Sequence, residues 1–215
     1  MKSYGPKPLI ELDGRETVIA RQVRLVRAAY PTAEFIAVVG HEADRVVRSL
    51  PAGVKAVENE RYDESNVARS ICMGLRVATH PRVLVVYGDM VFNAAAVEDV
   101  ARHGSALLVD RTGQMEDDEV GVTVVDGRVT CFSYGLPAKW CHVAFLAGRE
   151  LELMRRVVSD PARRNHYGFE ALNAVLEAGG RLRAVEPAGM RVAEIDVSRQ
   201  IERARGVAAL DRRAR

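Results

Sequence analysis

The stretch RVLVVYGDMVF, residues 82–92, decides how this chain is read. Val83, Leu84, Val85 and Val86 form a continuous apolar run, which predicts a central parallel strand buried on both faces. The run stops at Gly88-Asp89, so a carboxylate is delivered just past the strand's carboxyl end. Open α/β sheets take their ligands at that edge. An aspartate in such a place also closes turns and caps helices, and this stretch alone leaves both uses open.

Working outward, the pattern around this strand alternates. Upstream, Glu16–Tyr30 places Val18, Ile19, Gln22, Val23, Leu25 and Val26 at helical spacing, with Arg21, Arg24 and Arg27 on the other side, until Pro31 stops the helix. A buried strand is expected at Phe35–Val39, a short helix at Ala43–Leu50 and a strand at Val54–Val57. In ENERYDESNVARSICMGLRVA (58–78), Val67, Ile71, Gly74, Leu75 and Ala78 mark the buried face of a helix. Ser65 or Asn66 stands at its N-cap. That helix start is expected to present free N–H groups able to hold an anion or a base edge. Downstream, a helix is expected from about Ala94 to His103 and a strand at Ala106–Val109. The second half begins with GVTVVDGRVTCF (121–132), alternating on both sides of Asp126-Gly127, a hairpin signal. Strands at His142–Leu146 and Leu182–Val185 and helices at Glu150–Val158 and Gly168–Ala178 follow. Val192–Asp196 is a last short strand, ending on a second aspartate ahead of a helix from about Arg199.

This alternation predicts an α/β, Rossmann-like fold, a mostly parallel mixed sheet flanked by helices. With 215 residues and no linker or repeat, one domain over 1–215 is expected. The composition, 48% apolar and 28% charged, is that of a globular protein. A net charge of +2 gives no case for binding nucleic acid or a membrane surface, and no apolar run reaches the ~18 residues of a bilayer span. Cys72, Cys131 and Cys141 lack metal-type spacing and read as reduced thiols of a cytoplasmic protein.

The chemistry-bearing residues come from separate segments. In the opening MKSYGPKPLIELDG, Pro6 and Pro8 stiffen the backbone around Lys7, which lowers the entropic cost of holding its ammonium on an anion. Asp89 and Asp196 end two strands. Two carboxylates suit Mg²⁺, a hard ion that takes one or two carboxylates plus substrate phosphates, and lysine acts on phosphate as a point charge. Such a set suits nucleotidyl transfer, where positioning and charge neutralisation do most of the catalysis.

These segments resemble the nucleotidyltransferases related to sugar-phosphate and phosphocholine cytidylyltransferases. GPKPLIEL (5–12) looks like the family's lysine loop, and VVYGDMVF (85–92) like its metal-aspartate strand. NERYDESNVARS (59–70) is similar to the N-x-x-[YW]-x-x-x-N-x-x-x-S stretch of the phosphocholine and phosphonate branch. AEIDVSRQIERA (193–204) is similar to the closing segment with the second aspartate. LLVDR (107–111), DGRVTCFS (126–133) and KWCHVAFL (139–146) fall in the family's order, so the resemblance spans nearly the whole chain.

The resemblance implies a nucleotide-diphospho-sugar transferase-like fold and transfer of CMP from CTP to a phosphorylated small alcohol or phosphonate, with release of pyrophosphate. It implies that Lys7 steadies phosphates, that Asp89 and Asp196 hold Mg²⁺, and that Asn66 and Ser70 lie near the nucleotide or the alcohol. Gly88 would permit close approach, and Glu194 would join the metal site or form a salt bridge. Tyr134, Trp140, Tyr167 and Phe169 would offer faces to a quaternary ammonium group, or else pack in the core.

The family also opens with a phosphate-cradling L-A-A-G-x-G-x-R loop, and Met1 falls about where that motif ends. The expectation is therefore a sheet missing its first strand, with bared neighbouring strands that favour pairing with another chain, a homo-oligomer among the outcomes. An in-frame A-G-x-G-x-R segment upstream would mark a truncated reading frame. Two other readings are a nucleotidyltransferase-like module that only binds, and a glycosyltransferase of similar fold. The latter usually shows D-x-D, whereas Asp89 is followed by Met90 and Val91.

Overall fold

The computed structural model describes residues 5–12, 14, 16–112, 115–196 and 200–210. In chain order, the Lys7–Leu9 turn precedes α1 (Val18–Ala29), β1 (Phe35–Val39), α2 (Ala43–Arg48), β2 (Val54–Glu58) and α3 (Val67–Val77). Then come β3 (Arg82–Val86), β4 (Met90–Phe92), α4 (Ala95–Glu98), β5 (Ala106–Asp110), β6 (Val120–Val125), β7 (Arg128–Tyr134) and β8 (Ala138–Ala147). The chain closes with α5 (Gly148–Ser159), α6 (Gly168–Glu177), β9 (Leu182–Val185), β10 (Val192–Glu194) and α7 (Gln200–Leu210). The fold is α/β, a six-stranded mixed sheet and two two-stranded sheets flanked by helices.

The chain divides into two compact units, the first made of Met1–Glu58, Val86–Asp99 and Pro187–Arg215, the second of Asn59–Val85 and Val100–Glu186. The chain passes back and forth between them, which is why no linker shows in the sequence.

In the first unit β1 and β2 pair in parallel, Phe35 opposite Val54 through Val39 opposite Glu58. β4 and β10 pair antiparallel, Val192 opposite Phe92 and Glu194 opposite Met90. The core beneath them gathers Ile10, Leu12, Val18, Val91, Ala193, Ile195, Ile201, Ala204, Val207 and Ala208. Thr17 caps α1, its hydroxyl accepting from the Ala20 amide at 3.3 Å.

The second unit carries a six-stranded sheet in the order β3-β8-β5-β9-β7-β6, with β8 also pairing β6. β5 and β9 run parallel; β5 with β8, β6 with β7 and β7 with β9 run antiparallel. Antiparallel pairing thus enters with the half of the chain whose sequence alternates. Asp126 (φ 48°) and Gly127 (φ 73°) form the two-residue turn between β6 and β7, left-handed at both positions as a tight hairpin requires. Gly121 is needed for a different reason, since a Cβ there would stand 2.4 Å from the Leu136 carbonyl oxygen. α3, α5 and α6 pack on one another, and the Arg155 guanidinium donates to the Leu75 carbonyl and, at 3.0 Å, to the Ala78 carbonyl, closing the end of α3.

Val83–Val86 do not form a strand buried on both faces: all four are half-buried, and β3 stands at the end of the six-strand order. The fully buried piece is β4, just beyond Asp89. A run of four valines and leucines reports apolarity, and a half-buried strand at the end of a strand order satisfies it as well as a central one does. Among the described residues, no helix is long and apolar enough to cross a membrane.

Candidate functional site

The first unit brings together four of the residues singled out in the sequence: Lys7, Asp89, Glu194 and Asp196. They are far apart in the chain, and each is delivered by a neighbour anchored in one apolar cluster. Lys7 lies three residues before Ile10, Asp89 two before Val91, and Glu194 and Asp196 flank Ile195; Ile10, Val91 and Ile195 all belong to that cluster. The Lys7 turn is set by Pro6 and Pro8, with the Leu9 amide donating to the Pro6 carbonyl at 2.9 Å and Ile10 to Lys7 at 3.1 Å. Gly88 faces this turn. A Cβ on Gly88 would lie 3.1 Å from Pro8 Cγ, so the small residue lets the two segments meet.

The Asp89 turn is held from three sides. Gln22, buried on α1, donates through Nε2 to the carbonyls of Tyr87 (2.8 Å) and Met90 (2.7 Å). The Ile195 amide donates to the Asp89 carbonyl at 3.0 Å, carrying the β4–β10 ladder one step past its last paired residues. Arg21, also buried, donates through Nε to the Phe92 carbonyl at 3.1 Å and lies 3.6 Å from Glu16. At the other carboxylate, the Asp196 amide donates to Gln200 Oε1 at 2.5 Å, at the start of α7. Gln22 and Arg21 hold the backbone of this candidate site, a part that sequence reasoning did not give them. Gln22 falls on the apolar face of the helix, where polar groups are kept when they satisfy backbone, whereas Arg21 was expected on the opposite, solvated side and is instead 3% exposed, because its guanidinium reaches the Phe92 carbonyl and Glu16.

Lys7 Nζ lies 2.6 Å from Asp196 Oδ1 and 3.0 Å from Asp89 Oδ2, bridging the two aspartates. Burial pushes the ammonium's pKa down, but the charges and hydrogen bonds of Asp89 and Asp196 outweigh it and hold Lys7 above its ordinary value. Nearby, burial pushes the Tyr87 hydroxyl up, with the negative charges of Asp89 and Glu194 adding to it. Asp89, Glu194 and Asp196 each offer an oxygen within 4.8 Å of the others. Asp89 Oδ1 is buried and without a hydrogen-bond partner among the described residues. A buried carboxylate oxygen left unpaired is costly. An all-oxygen donor set around such an atom fits a hard divalent cation.

The remaining predicted residues belong to the second unit. Asn66 is the N-cap of α3, its Oδ1 accepting from the Val67 amide at 2.8 Å. The N–H groups at this helix start are not free, contrary to expectation: Ala68 donates to the His166 carbonyl and Arg69 to the Asn66 carbonyl. Ser70 accepts from Asn59 Nδ2 at 3.4 Å, and Ser65 from the same group at 3.1 Å. Asn59, 3% exposed, is the hub of the 59–70 segment; it heads the motif quoted from the sequence, where no role was assigned to it.

Trp140 is 2% exposed, edge-on to Phe132 (5.5 Å) and His142 (4.7 Å). Its ring is spent on packing, so as a face for a substrate it is corrected. Tyr167 differs: it is 51% exposed and stacks on Phe169 at 5.8 Å, with Tyr134, also exposed, edge-on to Phe169 at 5.5 Å. These three rings form a surface aromatic cluster on the second unit.

Comparison with known proteins agrees with this fold. The chain is 28% identical over 205 residues to the bifunctional protein GlmU of Kineococcus radiotolerans, a match covering 86% of this chain and 41% of that protein. The chain thus spans about two fifths of the length of that curated relative. The inositol-1-phosphate CTP transferase of T. maritima superposes with a TM-score of 0.75 at 15% identity, covering 94% of this chain and 86% of its own. The CTP:phosphocholine cytidylyltransferase of Streptococcus pneumoniae superposes with a TM-score of 0.69 at 17% identity, covering 98% and 90%. At these identities the superpositions speak for the fold alone. The MobA-like NTP transferase domain model matches residues 1–166. The chain therefore belongs to the MobA-like NTP transferase domain family, a family of nucleotidyltransferases.

Proposed function

We propose that this protein transfers CMP from CTP to a phosphorylated small alcohol or phosphonate of the phosphocholine kind, using Mg²⁺, and releases pyrophosphate. The observation that carries the reading is the set of carboxylates at Asp89, Glu194 and Asp196, gathered from separate segments with Lys7 lying across two of them. Asp89 and Asp196 would hold the ion, Glu194 standing within reach. When bound, Mg²⁺ supplies neutralisation of phosphate charge and orientation of the triphosphate. Lys7 supplies a compact positive charge for phosphate oxygens, on a backbone already fixed by two prolines. An oxygen of the acceptor phosphate forms the new bond to the α-phosphorus of CTP, and the bond from that phosphorus to the pyrophosphate oxygen breaks.

The choice of base is supported by the names of the two superposed CTP-using enzymes and by the 59–70 motif. The quaternary ammonium is supported by the exposed rings of Tyr134 and Tyr167 on the half-buried Phe169, since aromatic faces attract such cations. We further propose that both units serve one nucleotidyltransferase domain in a cytoplasmic protein, with Asn66 and Ser70 near the nucleotide or the alcohol.

The test is pyrophosphate release by the full protein with Mg²⁺, each of CTP, UTP, ATP and GTP, and a panel of phosphocholine, phosphonates and sugar phosphates. CTP with phosphocholine or a phosphonate should give the highest kcat/KM. Preference for UTP and a sugar phosphate would overturn base and acceptor. No turnover, with no heat of nucleotide binding in the presence of Mg²⁺, would overturn the enzymatic reading and leave a binding or structural module.

A further inference from the structure

Lys7 sits where a cation would. Its ammonium, about one third exposed, makes its two ion pairs with the aspartates whose oxygens come within 4.8 Å of one another and of Glu194. It takes one oxygen from each aspartate, Asp89 Oδ2 and Asp196 Oδ1, and leaves Asp89 Oδ1 buried and unpaired. A single ammonium offers three donors on one point and cannot serve three carboxylates with the geometry a divalent ion gives them. The carboxylates bring three negative charges against one positive charge on Lys7, so the cluster still favours a cation of higher charge.

We propose that Lys7 is an exchangeable internal counter-ion: its ammonium bridges Asp89 and Asp196 until a divalent cation binds there, and is then released toward the anionic substrate. This rests on the metal-site reading of the previous subsection and adds to it an order of events. The parts of the molecule suit an exchange confined to one side chain. The Pro6–Pro8 backbone is fixed by its own turn bonds, while the side chain has four rotatable bonds and an exposed flank. Two cations competing for the same oxygens repel, so ion entry weakens both contacts of Lys7 at once. The ammonium is thereby presented to phosphate only when the ion is in place, and the free protein does not keep three like charges unscreened.

The experiment uses the full chain without nucleotide and Mg²⁺ or Mn²⁺ alone as the probe. Calorimetric titration compares the wild-type protein with Lys7→Met and with Asp89→Asn. In parallel, the ammonium resonance of Lys7 is followed in ¹⁵N-lysine-labelled wild-type protein, one of only four lysines (Lys2, Lys7, Lys55 and Lys139), and assigned by its loss in Lys7→Met. Exchange predicts that Lys7→Met binds the ion at least about fivefold tighter, the low end of ordinary coupling between sites. It also predicts that saturating Mg²⁺ shifts or broadens the Lys7 resonance. A Lys7 resonance unmoved by saturating Mg²⁺ overturns the exchange whatever the variant does. Equal ion affinity in wild type and Lys7→Met overturns it as well, and leaves the metal site standing if Asp89→Asn has lost the ion. No ion binding in any form, or binding unaltered by Asp89→Asn, overturns the metal site itself and the exchange with it.

Discussion

The carboxylate corner of the first unit and the aromatic region of the second place their side chains by opposite means. At the corner, none of the four charged groups is held by its own packing. Lys7, Asp89, Glu194 and Asp196 are positioned by their neighbours Ile10, Val91, Ala193 and Ile195, which share one apolar cluster. In the aromatic region the rings hold themselves. Trp140 is locked between Phe132 and His142, while Tyr134, Tyr167 and Phe169 lean on one another at the surface. Charged groups cannot contribute transfer free energy to their own placement, so the chain spends adjacent apolar residues on it. Rings can contribute both.

The difference is best broken at Asp89. Asp89→Asn keeps the shape of the turn and removes one negative charge, so stability should hardly change while nucleotidyl transfer falls about a thousandfold, the several kcal/mol that an ion contributes at a transferring phosphoryl group. Turnover within tenfold of wild type would show that the corner is not the catalytic one. The opposite pattern is expected of Trp140→Ala: a loss of about 3–5 kcal/mol in denaturant-derived stability, since a large buried ring leaves a cavity, with KM for either substrate unmoved in the fraction that folds.

Gln22→Leu tests whether the corner is held through backbone. The substitution strips the donor shared by the Tyr87 and Met90 carbonyls, costing about 2 kcal/mol and weakening divalent-ion binding about tenfold or more by calorimetry. A stability loss with unchanged ion affinity would make Gln22 structural only. Tyr167→Ala is expected to raise the dissociation constant of a quaternary-ammonium acceptor about two- to fivefold and leave stability within about 0.5 kcal/mol. An acceptor without that group should not sense the change.

The smallest effect concerns pH. The Arg24 guanidinium, hydrogen-bonded to Glu16 through Nε and Nη2 at 2.6 and 3.0 Å, holds the carboxyl below its ordinary value, against burial, which raises it. A depressed carboxyl pKa contributes stability above the unfolded value, 4.5, and loses it as pH falls through the folded value. Glu16→Gln should therefore be less stable than wild type by up to about 1 kcal/mol above pH ~5, and the two curves should converge in acid. Parallel curves across that range would remove the pair from the stability account.

Much of this was legible in the sequence, for identifiable reasons. β1 and β9 fall on their expected residues and the hairpin at Asp126-Gly127 forms where it should, because turn chemistry and alternation are local signals. Lys7, Asp89 and Asp196 stood out as a stiffened lysine and two strand-end carboxylates, and the resemblance put their segments in family order; spacing along the chain says nothing of their meeting. Gln22 stood on the apolar face of its helix and Asn59 at the head of its motif, but their roles were not legible, because their partners are main-chain carbonyls and hydroxyls that only a folded chain supplies. Val83–Val86 misled because hydropathy does not distinguish an edge strand from a central one. The Arg199 region, where the last helix was expected to begin, lies outside the described residues.

The single hydrogen bond from the Ile195 amide to the Asp89 carbonyl ties site assembly to strand register. Ile195 is fully buried, whereas the Asp196 side chain is half-exposed. Sliding β10 along β4 by one residue would exchange the two, driving a carboxylate into the apolar cluster and an isoleucine into water. The corner thus proofreads itself during folding: a misregistered chain does not carry a distorted set of ligands but none, and every molecule that reaches the native ladder carries Asp89 and Asp196 side by side.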